Sequence, residues 1–589
     1  MPSQPPTSPT AGVRRGSPQL RLRIGFLVIA MALSVFGARL VQLQGLDPHS
    51  YAQMAADDGT VEAELPAERG DILDRNGRPL ADSVAGLMVV ADPQLTYSHA
   101  AELAAFLYKK LDVDYVSTLV KLRERDSKFE YIARRVPASL ATEVVEEAER
   151  RDLEGLDTRR DPLRAYPAGD VAANLVGFIG TDEPLAGMER TFDKQLSGTD
   201  GSERYEVGAG NRIPLGESTI TKPVDGTDLR TTLDQDLQWF AQRAVRQAVE
   251  ASRADSGFAV VMDTRTGELL AVADDPTYDA NKPTDSPKEN LGSRALQDVF
   301  EPGSVQKVLT VSALINEGLV TPRTKILVPP RLERDGRVIN DWFSHGEIRM
   351  TLTGAIAQSS NIATVKAADK FEKGQLYDYL RAFGLGQPTG IGVRGETKGL
   401  LPRLESWTSQ LEDRIDFGQS LSVNGVQMAA AVNTIANGGV RVSPSLIKGS
   451  ATTDTGRQVG TDHTTRKRVI SKKAARDTAL MMERVVDPEV GVAPGAAVPG
   501  YRIAGKTGTA QRVGPECRCY DGSFTVSFAG FAPADDPRLT IYVVVQNPRN
   551  GGGGGSVAGP VFSKIMAYAL RRYGVPPTGT EPSRLPVTW

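Results

Sequence analysis

A chain of 589 residues is too long for one compact core, so we expect two or more domains. Its 40% hydrophobic and 24% charged residues are an ordinary globular balance, and a net charge of −3 gives no signature of nucleic-acid binding. The two cysteines, Cys517 and Cys519, exclude a disulfide framework, while a local oxidised pair and two idle thiols both stay open. The four histidines are scattered, so we expect no metal and no cofactor.

The amino-terminal region predicts a membrane anchor. Residues 1–21 are rich in Pro, Ser, Thr and Gly, which indicates a disordered tail, and residues 22–44 form an apolar helix flanked by Arg23 and Arg39. Because arginines precede the apolar run, the positive-inside rule places the amino terminus in the cytoplasm and the rest of the chain outside. A cleaved signal peptide, suggested by "VFGA", is the alternative, but a cut there would leave the charged, still apolar "RLVQLQ".

Residues 45–230 predict an α+β scaffold. "ERGDILDRNGRPLADS" indicates two strands joined by a turn at Asn76 and Gly77, while "SHAAELAAFLYKKL" and "ASLATEVVEEAERR" have helical periodicity. Nothing in this stretch brings a nucleophile together with a base. We therefore interpret it as a supporting domain, which we call the pedestal.

Residues 231–573 predict one mixed α/β domain. "TTLDQDLQWFAQRAVRQAVEAS" is an amphipathic helix, and "GFAVVMDTRTGELLAVADD" is a hairpin with Thr266 and Gly267 at its turn. "FTVSFAGFAPADDPRLTIYVVVQNP" adds two strands near the other end, so the sheet is expected to be closed by both ends of the segment. Residues 574–589 are rich in Pro and Thr and are predicted to form a disordered tail.

The stretch "FEPGSVQKVLTVSALINEGLV" holds a serine and a lysine three residues apart at a helix start. Ser304 and Lys307 would share a helix face, and a serine nucleophile needs a base to take its proton. Lysine can be that base only if its pKa falls from about 10.4 towards 7. The motif alone is weak evidence, because Ser445 and Lys448 have the same spacing and no other sign of function.

Two further motifs strengthen the hypothesis. Ser359 and Asn361 lie in "TLTGAIAQSSNIATVKAA", where a hydroxyl could shuttle a proton and an amide could hold either the base lysine or a substrate carbonyl. Lys506 opens "KTGT" in "YRIAGKTGTAQ", which offers a cation, hydroxyls and a glycine along a strand. Each motif is common by itself, but the three together in this order are specific.

The trio S-x-x-K, S-x-N and K-T-G resembles the active-site signature of penicillin-binding proteins and serine β-lactamases. The resemblance implies that Ser304 is acylated by a D-alanyl-D-alanine peptide, with Lys307 as general base and with Ser359 passing the proton to the leaving D-alanine. The residues that it implies as catalytic are Ser304, Lys307, Ser359, Asn361 and Lys506, and those that it implies as substrate-binding are Thr507, Gly508 and Thr509.

In this family the backbone N–H groups that correspond to Ser304 and Thr509 form the oxyanion hole, and the resemblance implies the same here. Lys506, Thr507 and Thr509 would hold the terminal carboxylate of the peptide, and Asn361 would bind the substrate. No cofactor is implied.

Other stretches are similar to class B penicillin-binding proteins, which carry a pedestal in place of a glycosyltransferase. They are "RGDILDRNGRPLA", "GMERTFDKQLSGTDG" and "FGQSLSVNGVQMAAAVNTIANGG", although Asn424 stands where threonine is expected. "FEPGS", "INDW" and "KTGTAQRVGP" are most similar to the cell-division (septal) D,D-transpeptidase, FtsI type. The implied fold is a penicillin-binding/β-lactamase-like α/β transpeptidase domain on an elongated α+β pedestal.

The resemblance also implies partners and a location. Peptidoglycan stem peptides and β-lactams are the expected ligands, and a polytopic glycosyltransferase of the FtsW type and other divisome membrane proteins are the expected partners, by family analogy alone. The chain would be a single-pass protein of the cell membrane at the division septum.

Several other functions are compatible with part of the sequence. An elongation-type class B enzyme shares every catalytic residue. A catalytically silent scaffold or a β-lactam sensor is a different class, against which the intact trio argues. A class A β-lactamase would need a deacylating glutamate, and no E-x-x-x-N occurs between Asn361 and Lys506. A D,D-carboxypeptidase would lack the class B amino-terminal motifs.

Overall fold

The computed structural model of the chain describes residues 18–42, 60–180, 183–208, 211–212, 218–514, 517 and 519–589. These residues form two compact units. One contains the described residues up to Leu65 together with Asp200–Pro223, and the other contains Pro66–Thr199 and Val224–Trp589. The predicted domain limits at residues 45 and 231 stay predictions.

The first unit holds the apolar helix and a small antiparallel sheet. Helix α1 (Pro18–Val41) is long and apolar enough to cross a membrane, and its described side chains are exposed. The helix begins four residues before the predicted start at residue 22, and residues 43 and 44 of the predicted 22–44 lie outside the described residues. The sheet consists of β1 (Thr60–Leu65), β8 (Gly201–Gly208), β9 (Asn211–Arg212) and β10 (Ser218–Thr221), with β8 between β1 and β10.

The amino-terminal part of the second unit contains two small sheets and short helices. Its strands are β2 (Ile72–Leu73), β3 (Pro79–Val84), β4 (Gly86–Ala91), β5 (Glu130–Pro137), β6 (Leu156–Arg160) and β7 (Leu163–Ala165). Its helices are α2 (Pro93–Thr96), α3 (Ala100–Leu111), α4 (Tyr115–Lys121), α5 (Ala138–Arg150), α6 (Ala173–Val176), α7 (Gly187–Thr191) and α8 (Asp193–Leu196). The sequence predicted the β2–β3 hairpin and helices α3 and α5, and Gly77 in the hairpin turn has φ +86°.

A buried ion-pair cluster fixes the "RGD" segment of this part. Glu189 is fully buried and accepts from Arg69 Nε and Arg164 Nε, both at 2.7 Å. The Tyr166 hydroxyl lies 3.4 Å from the same carboxylate. Because a buried charge must be paired, this cluster ties the segment around Arg69 to α7.

The remainder of the second unit supplies the other elements. Its strands are β11 (Leu229–Arg230), β12 (Ser256–Asp263), β13 (Leu269–Asp275), β14 (Lys325–Val328), β15 (Leu332–Arg334), β16 (Arg337–Ile339), β17 (Ile348–Thr351), β18 (Val440–Val442), β19 (Ala451–Thr452), β20 (Gln458–Val459), β21 (Arg466–Arg468), β22 (Ala504–Val513), β23 (Tyr520–Ala532) and β24 (Leu539–Gln546). Its helices are α9 (Gln235–Ser252), α10 (Arg294–Gln297), α11 (Lys307–Asn316), α12 (Leu352–Ala357), α13 (Asn361–Ala368), α14 (Gln375–Phe383), α15 (Ser409–Asp416), α16 (Gly425–Ala436), α17 (Lys472–Val486) and α18 (Gly559–Arg572).

A five-stranded antiparallel sheet, in the order β13–β12–β24–β23–β22, organises this part. Strands from both ends of the segment complete it, which confirms the predicted mixed α/β domain. Helices α9 and α18 pack on the sheet and on each other, with the Phe240 and Tyr568 rings stacked 4.2 Å apart. A second helical layer contains α11, α16 and α17, and Asn424 caps α16 by accepting from Gln427 N at 2.7 Å. The order leaves β22 at an edge of the sheet.

The structure differs from the predicted disordered tail at residues 574–589. Val587 O accepts from Thr351 N at 3.1 Å, and Thr588 forms a β-bridge with Met350. A Cβ atom on Gly354 would lie 1.9 Å from Val587 O, so the tail packs where only a glycine leaves room. Composition suggested disorder because a segment rich in Pro and Thr forms no hydrophobic core by itself. In the folded chain the tail forms backbone hydrogen bonds with β17.

Cys517 and Cys519 form a disulfide, with their Cα atoms 5.1 Å apart. Of the two states that the sequence left open, the structure contains the oxidised pair. The pair lies between the end of β22 at Val513 and the start of β23 at Tyr520.

Candidate active site

Ser304 lies at the start of a helix that is pressed against the edge strand. Residues Gly303–Gln306 form a 3₁₀ turn that continues directly into α11 at Lys307. Gly303 has φ +53°, and a Cβ atom there would lie 2.8 Å from Thr509 O. The glycine therefore permits both the left-handed turn and the close approach that sets half-buried Ser304 beside β22.

Lys307 is fully buried and is held by the Ser359–Asn361 turn. Its Nζ donates to Ser359 O and to Asn361 Oδ1, both at 2.7 Å, and lies 3.4 Å from Ser359 Oγ. Ser304 Oγ makes no hydrogen bond to another described residue. The predicted nucleophile and its predicted base thus lie three residues apart without a hydrogen bond between them, as is common in sites without substrate.

The Ser359–Asn361 turn joins two capped helices. Thr351 caps α12 by accepting from Gly354 N at 3.1 Å, and Ser360 caps α13 by accepting from Ala363 N at 2.9 Å. Between them Ser359 adopts φ +59°, a conformation that a serine rarely takes. The two caps and the helices behind them hold this strained residue in place, which is typical of functional sites.

Lys506 reaches the same turn from β22. Its Nζ donates to Ser359 Oγ at 2.8 Å and to Thr507 Oγ1 at 3.2 Å, and its side chain is fully buried. Thr507 is nearly buried, whereas Thr509 is exposed at the edge. A Cβ atom on Gly508 would lie 2.3 Å from Ser527 Oγ and 3.0 Å from Pro302 O, so the K-T-G glycine lets the helix start pack against the strand.

Burial sets the electrostatics of the two lysines. Desolvation lowers the pKa of Lys307 to about 7, and the negative charge of Asp341 opposes this fall. Burial also lowers the pKa of Lys506 well below its ordinary value, and the neighbouring Lys307 lowers it further. Because both cations are desolvated, one of the pair is readily neutral near pH 7, which is what a general base requires.

These side chains open into one cleft of about 580 Å³. Ser304, Ser359, Asn361, Thr507 and Thr509 line it. The first N–H groups of a helix have no partner within the helix, and an edge strand presents alternate N–H groups to its surroundings. The start of the helix at Ser304 and the strand at Thr509 are therefore suited to stabilise a developing oxyanion.

The rival S-x-x-K motif has none of these features. Ser445 is buried and its Oγ donates to Ile447 O at 2.9 Å, while Lys448 is exposed. Neither residue lines the cleft. The spacing is shared, but the tertiary environment distinguishes the two serines.

Sequence reasoning did not assign several residues of the cleft. Trp342, 66% exposed, Phe417 and Phe524 give it aromatic walls, and Gly553–Gly555 supply a wall of backbone. The run of five glycines, Gly551–Gly555, was a usable signal, because a Cβ atom on Gly554 would lie 2.2 Å from Ser527 O. The aromatic residues lie in three separate stretches of the chain, and nothing in their spacing indicated that they line one cleft.

Comparison with known proteins identifies two matching family models. A penicillin-binding protein transpeptidase domain matches residues 257–567, and a penicillin-binding protein dimerisation domain matches residues 64–184. The chain is 35% identical to the penicillin-binding protein PbpB of Mycolicibacterium smegmatis, over 96% of this chain and 92% of that protein. It is 32% identical to the peptidoglycan D,D-transpeptidase FtsI of Escherichia coli, over 93% of this chain and 91% of that protein.

Solved structures agree with these matches. The crystal structure of penicillin-binding protein 3 from Mycobacterium tuberculosis complexed with aztreonam superposes with a TM-score of 0.69 at 33% identity. The superposition covers 89% of this chain and all of that one. A peptidoglycan synthetase from Bifidobacterium adolescentis has a TM-score of 0.71 at 30% identity, over 90% of this chain and all of that one.

Proposed function

The chain belongs to the class B penicillin-binding proteins, and from that premise we propose that it is the septal enzyme of this class and that Ser304 is its nucleophile. It is a serine-type peptidoglycan D,D-transpeptidase and a target of β-lactams. The observation that carries the residue assignment is the cluster in which Lys307 donates to Ser359 and Asn361 and Lys506 donates to Ser359. Ser304 lines the same cleft as Ser359 and Asn361.

Acylation begins when Lys307 Nζ takes the proton of Ser304 Oγ. The oxygen attacks the carbonyl carbon between the two terminal D-alanines, and the N–H groups of Ser304 and Thr509 stabilise the oxyanion. Ser359 Oγ, 3.4 Å from Lys307 Nζ and 2.8 Å from Lys506 Nζ, gives its proton to the leaving nitrogen and is reprotonated by Lys307, which took the proton of Ser304. The C–N bond breaks, D-alanine leaves as an amine, and the donor peptide remains as an ester on Ser304.

The second half-reaction uses an amine of another stem peptide. Its nitrogen attacks the ester carbonyl, the C–O bond to Ser304 breaks, and the proton lost by the amine returns to Ser304 Oγ through the lysine. The product is an amide cross-link, and the free serine is restored. Lys506, Thr507 and Thr509 hold the carboxylate of the donor until it departs with D-alanine.

The role of Asn361 is better described as holding the base than as binding the substrate alone. Its Oδ1 accepts from Lys307 Nζ at 2.7 Å, and its Nδ2 donates to Asn340 O at 2.9 Å. The second hydrogen of Nδ2 is left to donate to a substrate carbonyl. The sequence allowed this amide either to hold the base lysine or to bind a substrate carbonyl. Both contacts support the first use.

Intact-protein mass spectrometry after incubation with a penicillin tests the assignment. We expect a long-lived adduct on the wild type and none on Ser304→Ala. Ser445→Ala is the matched control, because it removes the serine of the other S-x-x-K motif and should leave the adduct unchanged. An adduct that survives Ser304→Ala, or one that is lost in Ser445→Ala, would overturn the assignment of the nucleophile.

The protein is a single-pass membrane protein, and we further propose a cytoplasmic amino terminus, a septal location and a polytopic glycosyltransferase of the FtsW type as partner. The 32% identity to FtsI over 93% of the chain supports the septal role, and arginines before α1 support the orientation. Depletion in the native host should give filaments with unfinished septa. Rounded or swollen cells would instead support the elongation-type alternative, and co-purification of a fluorescent full-length fusion with the glycosyltransferase tests the partner.

A further inference from the structure

The loop between β16 and β17 places a buried carboxylate behind the Ser359–Asn361 turn. Asp341 Oδ2 accepts from Ser360 Oγ at 2.7 Å and lies 3.1 Å from His345 Nε2. Its Oδ1 accepts from Ile362 N at 3.0 Å, and the side chain is fully buried. A buried carboxylate with this many donors is held in one orientation.

These contacts hold the turn on both sides of Asn361. Ser360 has a single hydroxyl proton, and because that proton goes to Asp341, a lone pair of Ser360 Oγ is directed at Ala363 N, 2.9 Å away. Asn340, the residue before Asp341 in the loop, also holds the turn, because its backbone oxygen accepts from Asn361 Nδ2 at 2.9 Å. The loop thus forms hydrogen bonds with Ser360, with Ile362 and with the side-chain amide of Asn361.

The same carboxylate is the negative charge that acts on Lys307. It raises the pKa of Lys307, against the desolvation that lowers it to about 7. The other titratable groups around this site are Lys506, which approaches from β22, and His345, whose Nε2 lies 3.1 Å from Asp341 Oδ2 within the loop. Asp341 therefore touches neither Ser304 nor the cleft, yet it bears on the base through both geometry and charge.

We propose that Asp341 is a positioning residue for acyl transfer: it holds Ser359 and Asn361 in place through Ser360 and Ile362, and its charge stabilises the protonated form of Lys307. The proposal rests on the proposed function of Ser304 and Lys307. Asp341 lies outside the three motifs, and its loss is expected to change the pH at which Lys307 loses its proton.

Three variants of the full-length protein separate charge from geometry. Asp341→Asn removes the charge and keeps the shape, and Asp341→Glu keeps the charge and disturbs the shape. Ser360→Ala removes the hydrogen bond to Asp341 together with the cap on Ala363 N, and it leaves the charge in place. The measurement is the second-order rate of acylation by a fluorescent penicillin as a function of pH, with thermal unfolding measured in parallel.

We expect all three variants to acylate more slowly, by up to roughly 100-fold, because the turn that holds the base is displaced. Lys307 acts as a base only when neutral, so without the negative charge it loses its proton at lower pH. The acidic limb of the profile should therefore move to lower pH in Asp341→Asn and stay in place in Asp341→Glu and Ser360→Ala. A merely structural role would slow the reaction without moving this limb.

The outcomes that overturn the proposal are distinct. Wild-type acylation rates in all three variants would refute the positioning role, and an unmoved limb in Asp341→Asn would refute the electrostatic one. If Asp341→Asn does not fold, Asp341→Glu provides the test of the electrostatic role. This variant retains the charge, so a shift of the acidic limb of its pH–rate profile would overturn the proposal. A wild-type protein that forms no adduct at Ser304 would refute the proposed function itself, which this comparison of variants presupposes.

Discussion

Lys506 Nζ donates a hydrogen bond of 2.8 Å to Ser359 Oγ, although the two residues are 147 positions apart in the chain. Lys307 Nζ lies 3.4 Å from the same oxygen, so two buried lysine amino groups share one hydroxyl. Like charges in a desolvated site oppose each other, and the two lysines titrate as a coupled pair. Ser359 Oγ therefore lies between the proposed base, Lys307, and the proposed carboxylate-binding residue, Lys506.

The pH dependence of acylation follows from the burial of Lys307. With its pKa lowered to about 7, the lysine is largely protonated below neutrality and cannot accept the proton of Ser304. We expect the acylation rate to rise with pH through about 7, as measured with a fluorescent penicillin across the acidic and neutral range. A rate that is flat between pH 5 and 9 would contradict the assignment of Lys307 as the base.

The same burial predicts a pH dependence of stability. The pKa of Lys307 is about 10.5 in the unfolded chain and about 7 in the folded chain, so the free energy of unfolding rises with pH between these values. Below pH 7 the cost of burying the protonated lysine is at most about 5 kcal/mol. Lys307→Met should remove it, so that the variant is more stable than the wild type at pH 7 and this advantage shrinks towards pH 10.

Denaturant unfolding of both proteins at several pH values measures this effect. Lys448→Met, which replaces an exposed lysine, is the matched control and should show a constant difference from the wild type. An equally constant difference for Lys307→Met would mean that Lys307 is not desolvated in solution.

Backbone strain at Ser359 predicts a difference between two substitutions. Ser359→Ala and Ser359→Gly both remove the hydroxyl, and both should slow acylation by at least about 100-fold, because the proton shuttle is lost. At φ +59° only the alanine retains the cost of the left-handed conformation, so the glycine variant should be more stable by about 1 kcal/mol. Asp152 has φ +58° in the pedestal, and Asp152→Gly should leave acylation unchanged. Equal stabilities of the two Ser359 variants would argue against strain.

The contact between Gly303 and Thr509 predicts that this glycine is required for more than its conformation. Gly303→Ala would place a Cβ atom 2.8 Å from Thr509 O, so the helix start and β22 must separate. Gly318, with φ +72°, has no atom within 4 Å of such a Cβ and is the matched control. Each variant should lose about 1 kcal/mol to the left-handed conformation. Only Gly303→Ala should lose more and acylate slowly, and unchanged acylation in that variant would contradict the close approach.

The carboxy-terminal tail predicts an effect on the site from a distance. Removing Ser583–Trp589 takes away the acceptors of Thr351 N and Thr351 Oγ1, at the cap of the helix that leads to Ser359. We expect a loss of about 1–3 kcal/mol in the free energy of unfolding and slower acylation. Trp589→Ala keeps these backbone acceptors and should have the smaller effect on both. Equal acylation rates in the truncated and full-length proteins would limit the tail to a role in stability.

Local patterns were sufficient for the elements and the motifs. Alternation and helical periodicity predicted the β12–β13 hairpin, the two strands near residues 524–546 and helices such as α3, α5 and α9, because these depend on which residues face a core. The S-x-x-K, S-x-N and K-T-G motifs indicated the chemistry, because a serine, two lysines and an amide are a chemically specific set. The prediction that the Pro- and Thr-rich tail is disordered was wrong because composition indicates only what a segment can bury by itself. It does not indicate which other segments the tail contacts in the folded chain.

Tertiary structure alone distinguished the two S-x-x-K serines, because it decided what surrounds each lysine. Ser304 and Ser445 have identical spacing to a lysine, but only Lys307 is buried among acceptors from a turn that is distant in the chain. The lowered pKa of Lys307 requires that burial, and the contacts of Asp341 with Ser360 and Ile362 require the β16–β17 loop to fold onto the turn. Desolvation and long-range hydrogen bonds arise from segments that meet only in the folded chain, so no local pattern can encode them.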